Sequence, residues 1–239
     1  MPEFLTASRR AAAARLSGDL ARVFGDRLRV VVAYEPVAGA NREHGDVHTL
    51  ALVDRLSIDD LSSLLTVVPA WHKAGLATPL LLGEDEFRRT LDVFPAEYQS
   101  IVSRHEVLRG TWPGTPQVRA ADLRRGCERQ IKALLIHLRE GYLETHGTPR
   151  AIADLVRVAV PGFRSSLQNV ACLRGARAET GDELIEFARA ALQLDPIAVR
   201  EVFEYPAAGQ RADAAMLLPR FVALVEQLWR MVDADGLQA

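Results

Sequence analysis

Two histidines and a carboxylate stand close together between two apolar runs of the 239-residue sequence, and they are its strongest candidates for chemistry. Asp46 opens the second apolar run, and His44 and His48 lie on either side of it. A carboxylate in such a position commonly binds a metal ion that in turn holds phosphate groups. Two histidines and one carboxylate are also a known ligand set for Zn²⁺. The structural alternative is that Asp46 simply caps the loop that precedes it.

The apolar runs that flank this loop predict two neighbouring strands. Residues 28–34 read LRVVVAY, and residues 47–53 read VHTLALV. The unbroken valine run predicts a strand that is buried on both faces. Further strands are predicted at residues 78–82, 98–101 and 106–108.

Helical spacing of apolar residues alternates with these strands in the first half of the chain. Residues 5–24, 57–73 and 84–92 predict three helices, and Ser57 with Asp60 predicts a capping box at the start of the second. Proline and glycine residues from 110 to 116 then mark a domain boundary. Everything after this boundary has helical periodicity, including a second capping box at Thr180 and Glu183.

The order of these elements predicts an α+β protein of two domains. Residues 1–112 would form a small mixed-sheet α/β head, and residues 117–239 would form an all-α helical bundle. The composition suits this size, since 49% of the residues are hydrophobic and 25% are charged.

Charge and hydropathy exclude several classes of partner. The net charge is −2, with 31 acidic and 29 basic residues, so nothing indicates binding to nucleic acid. No apolar run approaches about 18 residues, and the first residues lack the apolar core of a signal peptide. Two cysteines, Cys127 and Cys172, lie in helical patterns without metal-ligand spacing, so we expect buried thiols. These features predict a cytoplasmic protein that does not contact a membrane.

The order helix, strand, polar loop, acidic strand, helix, strand resembles the nucleotidyltransferase superfamily, including its kanamycin-type and minimal members. The segments LDVFPAEYQSIVSRHEVLRG and LRRGCERQIKALLIHLREGYL are similar to those of bacterial proteins of this two-domain type. The resemblance implies Gly-Ser after the first strand, Asp-x-Asp on the next strand and a third carboxylate on a later strand. It also implies Mg²⁺ ions that bridge the triphosphate and activate a hydroxyl. The helical tail would bind a substrate or a partner.

This sequence departs from the implied motifs at several positions. Glu35-Pro36 stands where Gly-Ser is expected, so a negative charge and a residue without an N–H replace two phosphate-binding groups. Asp46 matches the first carboxylate of Asp-x-Asp, but His48 replaces the second, and imidazole is a poor ligand for Mg²⁺. The third carboxylate would fall near Ser100, where Glu97 or Asp92 would have to substitute. The resemblance thus assigns the candidate residues as follows: catalytic, Asp46 and Glu97; metal-binding, Asp46 and His48; cofactor-binding, Tyr34, Glu35 and His48.

Three hypotheses about function follow. In the first, which we favour, a nucleotidyltransferase-like protein has lost its catalysis and binds a nucleotide, a small anionic ligand or a protein partner. In the second, an active Mg²⁺-dependent enzyme moves a nucleotidyl group from a nucleoside triphosphate to a hydroxyl, with Asp54, Asp92 or Glu97 completing the site around Asp46. In the third, the chain is a non-enzymatic scaffold whose helical tail forms a homodimer.

Overall fold

A computed structural model describes residues 5–34, 47–103, 105–114, 116–178, 180–208 and 214–235. These residues form two compact units. The described residues up to Arg119 form one, called here the head unit, and those from Ala120 onward form the other, called the helical unit.

The strands described in the head unit are β1 (Leu28–Tyr34), β2 (His48–Val53), β3 (Leu80–Gly83) and β4 (His105–Gly110). They form a mixed sheet with the order β3-β2-β1-β4. The two central strands pair antiparallel with each other, and β4 pairs antiparallel with β1 on the outer side. Strand β3 pairs parallel with β2.

The predicted burial of the two central strands is confirmed. All six residues of β2 are buried, as are the last five of β1. Alternate residues of β1 enter two different cores, because successive side chains of a strand point to opposite faces. The helices described in the head unit are α1 (Ala7–Phe24), α2 (Ile58–Leu64), α3 (Val68–Lys73), α4 (Glu84–Arg89) and α5 (Pro95–Ser103). Val31 and Ala33 belong to a core that also contains residues of α1, α2 and α3, whereas Val30, Val32 and Tyr34 belong to a core with residues of α4 and α5.

Two predictions for the head unit were wrong. The predicted strand at residues 98–101 lies in α5, where Tyr98 and Ile101 are buried three positions apart, which is a helical spacing. The single helix predicted over residues 57–73 is two helices, α2 and α3. Pro69 accounts for the break, because it has no N–H to donate to the carbonyl of Leu65, four residues earlier.

The helical unit contains α6 (Ala120–Glu144), α7 (Pro149–Leu173), α8 (Gly181–Leu192), α9 (Pro196–Ala208) and α10 (Ala214–Ala234). Phe163 of α7 lies at its centre, with its ring centroid 5.3 Å from that of Phe221 and 6.0 Å from that of Phe203. The predicted burial of Cys127 is confirmed, and burial raises the pKa of its thiol to about 12. Cys172 is only half-buried. Within the described residues, no helix is both long enough and apolar enough to span a bilayer.

Both predicted capping boxes are present, at Ser57 with Asp60 and at Thr180 with Glu183. Asp60 has a second role, because its two carboxylate oxygens accept hydrogen bonds from Arg27 at 2.7 and 3.0 Å. The bonds from Arg27, together with those from Ser57, hold the pKa of Asp60 well below its usual range. The start of α2 is thereby attached to the turn that precedes β1.

Gly110 is expected to tolerate no side chain, in contrast to Gly18. Gly110 has a φ of +77°, and a Cβ added there would lie 2.0 Å from the carbonyl oxygen of Arg29. A Cβ at Gly18, inside α1, would meet nothing within 4 Å. We expect Gly110→Ala to lower the free energy of unfolding by more than about 2 kcal/mol, and Gly18→Ala to raise it by about 0.5–1 kcal/mol. Urea unfolding of the two variants checks this, and equal effects would contradict it.

The lowered pKa of Asp60 predicts an acid-dependent loss of stability. The ionised carboxylate stabilises the fold fully above the pKa of an aspartate in the unfolded chain, about 3.9, and this contribution disappears as the pH falls below that value. Thermal unfolding from neutral pH to about pH 2.5 should therefore show a smaller acid-induced drop in Tm for Asp60→Asn than for the wild type. Asp59→Asn, at an exposed position of the same helix turn, is the matched control. Parallel pH profiles for Asp60→Asn and the wild type would refute the role given to Asp60.

Candidate functional site

The candidate site lies at the edge of the sheet where β1 ends and β2 begins. Tyr34, the last residue of β1, pairs with His48 of β2 on one side and with His105 of β4 on the other. Directly opposed residues of antiparallel strands point to the same face of a sheet. The two histidines therefore flank Tyr34 on one face, and we call His48, Tyr34 and His105 the imidazole row.

His48 is used for packing in this row. Its side chain is buried, with the residue only 4% exposed, and its ring centroid lies 6.0 Å from that of Tyr34 at an interplanar angle of 45°. Tyr34 is equally inaccessible at 5%. A metal ion that binds a triphosphate needs ligands that open to solvent, whereas this imidazole is enclosed.

His105 is more accessible, and its orientation is fixed by two contacts. Its Nδ1 lies 2.8 Å from the carbonyl oxygen of Ile101, which can only accept a hydrogen bond, so Nδ1 carries the hydrogen. Its ring stacks against Trp112, with the centroids 4.3 Å apart. In the neutral ring, Nε2 is then the atom that can accept a proton or a ligand.

A carboxylate that the sequence analysis did not assign lies beside this row but on the other face. Glu106 of β4 pairs in register with Ala33, which in turn pairs with Thr49 of β2. Both carboxylate oxygens of Glu106 accept hydrogen bonds from Arg10 of α1, at 2.8 and 3.1 Å. The side chain is thus directed toward α1 and away from the imidazole row. The sequence analysis could have found Glu106 from its place in the stretch at residues 106–108, which was predicted as a strand.

The carboxylates proposed to complete the site lie outside the four strands. Glu97 lies on an exposed position of α5, and Asp92 is exposed between α4 and α5. Asp54 follows the far end of β2, where it forms an ion pair with Arg29. Of the assigned residues, the structure brings together Tyr34 and His48. Asp46, Glu35 and His44 lie outside the described residues.

The described part of this edge does not fit a magnesium site. Mg²⁺ prefers oxygen ligands in octahedral geometry, and the imidazole row offers nitrogen atoms instead. Among the residues that the structure describes, no three His, Cys, Asp or Glu side chains are grouped closely enough to hold a metal ion. The predicted roles of Asp46 in binding Mg²⁺ or Zn²⁺ stay predictions.

Comparison with solved structures decides the fold. The chain is similar to the spectinomycin adenyltransferase AAD(9) from Enterococcus faecialis, solved with ATP and spectinomycin, with a TM-score of 0.52 over 91% of this chain and 98% of that one. The chain has a nucleotidyltransferase-like fold. The sequence identity is 9%, so the likeness concerns the fold alone. The predicted nucleotidyltransferase-like fold and the α+β class are confirmed.

A second solved structure matches at lower similarity. It is a nucleotidyltransferase-like protein from Exiguobacterium sibiricum, with 14% identity, a TM-score of 0.42 and coverage of 93% of this chain and 74% of that one. Neither a family model nor a curated protein matches the sequence.

Restoring a carboxylate at the second motif position is expected to destabilise this nucleotidyltransferase-like fold. A carboxylate at residue 48 would be buried beside Tyr34, and burial of an ionised group is costly. We expect His48→Asp to be less stable than the neutral isostere His48→Asn by about 1–3 kcal/mol at pH 7, with the difference shrinking as the pH falls toward 4 and the carboxyl group becomes protonated. Chemical unfolding at both pH values measures this. Stabilisation of His48→Asp by added Mg²⁺ would instead show that the position opens onto a metal site.

Proposed function

We propose that this protein is a nucleotidyltransferase-like binding protein that does not transfer nucleotides. Its head unit would bind a nucleotide or another anionic ligand without the pair of magnesium ions that transfer requires. The observation that carries the proposal is the burial of His48 against Tyr34, because the residue in the second motif position is part of the core.

The sequence of the loop after β1 supports the loss of catalysis. Glu35 would place a negative charge where the implied Gly-Ser motif donates hydrogen bonds to phosphate. One repulsion between unit charges at about 4 Å costs roughly 4 kcal/mol at an effective dielectric constant of about 20. This corresponds to about a thousandfold in affinity. A triphosphate should therefore bind less well here than a ligand with fewer charges.

The fold supports a nucleotide as the first ligand to test. The adenyltransferase with a similar fold was solved with ATP, which is the reason to test a nucleotide first. Fold alone does not determine function, so the ligand has to be established by measurement. The two cysteine thiols, which form no disulfide, agree with a reducing bacterial cytoplasm as the proposed setting.

Calorimetric titration with ATP, ADP and AMP, each with and without Mg²⁺, tests the proposal. We expect the affinity to rise as the phosphate count falls and to be independent of Mg²⁺, because the described edge offers imidazole in place of hard oxygen ligands. Asp46→Ala should then change the affinity little, and Asp59→Ala, exposed on α2, is the matched control. Mg²⁺-dependent ATP binding that disappears in Asp46→Ala would establish the enzyme hypothesis instead.

The same proposal is tested by rebuilding the phosphate-binding motif. The double variant Glu35→Gly with Pro36→Ser should still show no transfer of a labelled nucleotidyl group to hydroxyl compounds, since His48 remains in place. Detectable transfer by this variant would contradict the proposal. If no nucleotide binds at all, light scattering decides whether the chain is a dimer, as the scaffold hypothesis requires.

A further inference from the structure

A second candidate binding site lies in the head unit at the opposite end of β1. An open cavity of about 800 Å³ is bordered there by the start of β1, by α4 and by the segment that follows β4. Arg29 and Gly110 mark its position, and Arg29 lies about 17 Å along the strand from Tyr34. The volume falls within the range of sites that enclose small molecules.

One wall of this cavity is apolar and held in place. Trp112 contacts the edge of Phe87, with their ring centroids 5.7 Å apart, and also stacks on His105. Leu91 contributes to the same wall. The close approach of Gly110 to the Arg29 carbonyl fixes the start of the segment that carries Trp112. Such a wall is suited to a flat apolar group, because an indole offers a broad rigid face.

The other wall carries two arginines with unused donors. Arg29 donates from Nε and Nη2 to Asp54, and Arg88 donates from Nη2 to Glu84. A guanidinium group has five N–H donors. Within the described residues, the Nη1 group of Arg29 and the Nε and Nη1 groups of Arg88 have no acceptor. Both side chains are about half exposed, so a ligand can reach these donors.

We propose that this cavity binds a small organic anion that consists of a carboxylate or phosphate group attached to a flat apolar ring. The planar guanidinium groups match the geometry of these oxyanions. The anion accepts hydrogen bonds from Arg88 and Arg29, and the ring lies against Trp112. Glu84 opposes a second negative charge, which favours ligands of low charge. Trp112 contacts His105 of the imidazole row, but the two arginines of this cavity do not belong to that row, and the proposal does not rest on the function proposed for it.

Benzoate and phenyl phosphate are suitable probes, and benzyl alcohol has a similar ring without the charge. Titration of the full chain, followed through the indole N–H signals in NMR, should show binding of at least one anion and at least tenfold weaker binding of benzyl alcohol. The signal of Trp112, identified by its absence in Trp112→Phe, should shift. The signals of the other two indoles should not shift. Trp71 donates its N–H to Asp19, and Trp229 makes a cation–π contact with Lys132.

Arg88 provides the decisive variants. Arg88→Gln should weaken binding of the anion at least tenfold, and Arg88→Lys should weaken it less, since it keeps the charge but loses the planar donor group. Arg22→Gln is the matched control, because Arg22 is an exposed arginine of the same unit in a local ion pair with Asp19. The proposal is overturned if neither anion binds up to roughly ten millimolar, if benzyl alcohol binds equally well, or if Arg88→Gln has no effect.

Discussion

Strand β1 is paired on both sides and covered on both faces, so its residues from Val30 to Tyr34 contact both neighbouring strands and both cores of the head unit. An apolar strand in this position is stabilised by burial, which contributes roughly 25 cal/mol for each Å² of apolar surface removed from water. Its fixed position determines where its neighbours lie. The register of β2 and β4 against β1 decides which of their side chains meet at the Tyr34 end.

Because successive side chains of a strand point to opposite faces, two neighbouring residues of β4 have different surroundings at the Tyr34 end. His105 faces the same side as Tyr34, whereas Glu106, its neighbour in sequence, faces α1 and binds Arg10. The carboxylate of Glu106 is therefore only one residue from the imidazole row along the chain, yet it lies on the opposite face of the sheet. The strand register therefore determines that His48, Tyr34 and His105 lie side by side in the imidazole row.

Features that depend on local sequence could be predicted. The valine run identified β1, and both capping boxes were read from residues three positions apart, because such contacts involve only neighbouring turns of chain. A strand was predicted at residues 106–108 of β4, but its pairing was not, since it pairs with a strand more than 70 residues earlier. Its carboxylate Glu106 was missed for the same reason. The ion-pair partner of Glu106 is Arg10 on α1, and no local sequence pattern connects these two residues.

The bidentate contact between Arg10 and Glu106 also bears on how an active site of the implied kind could arise in this chain. Recruiting Glu106 to a metal would require breaking both of its hydrogen bonds and moving the carboxylate to the opposite face of the sheet. Alternation along β4 prevents that movement unless the register against β1 slips by one residue. Such a slip would also transfer Val107 and His105 to the wrong faces. Placing a new carboxylate at position 105 avoids the slip, but it removes the stacking of His105 on Trp112 and the bond to Ile101. The packing of the described residues at this edge thus opposes each of these single steps toward a magnesium site.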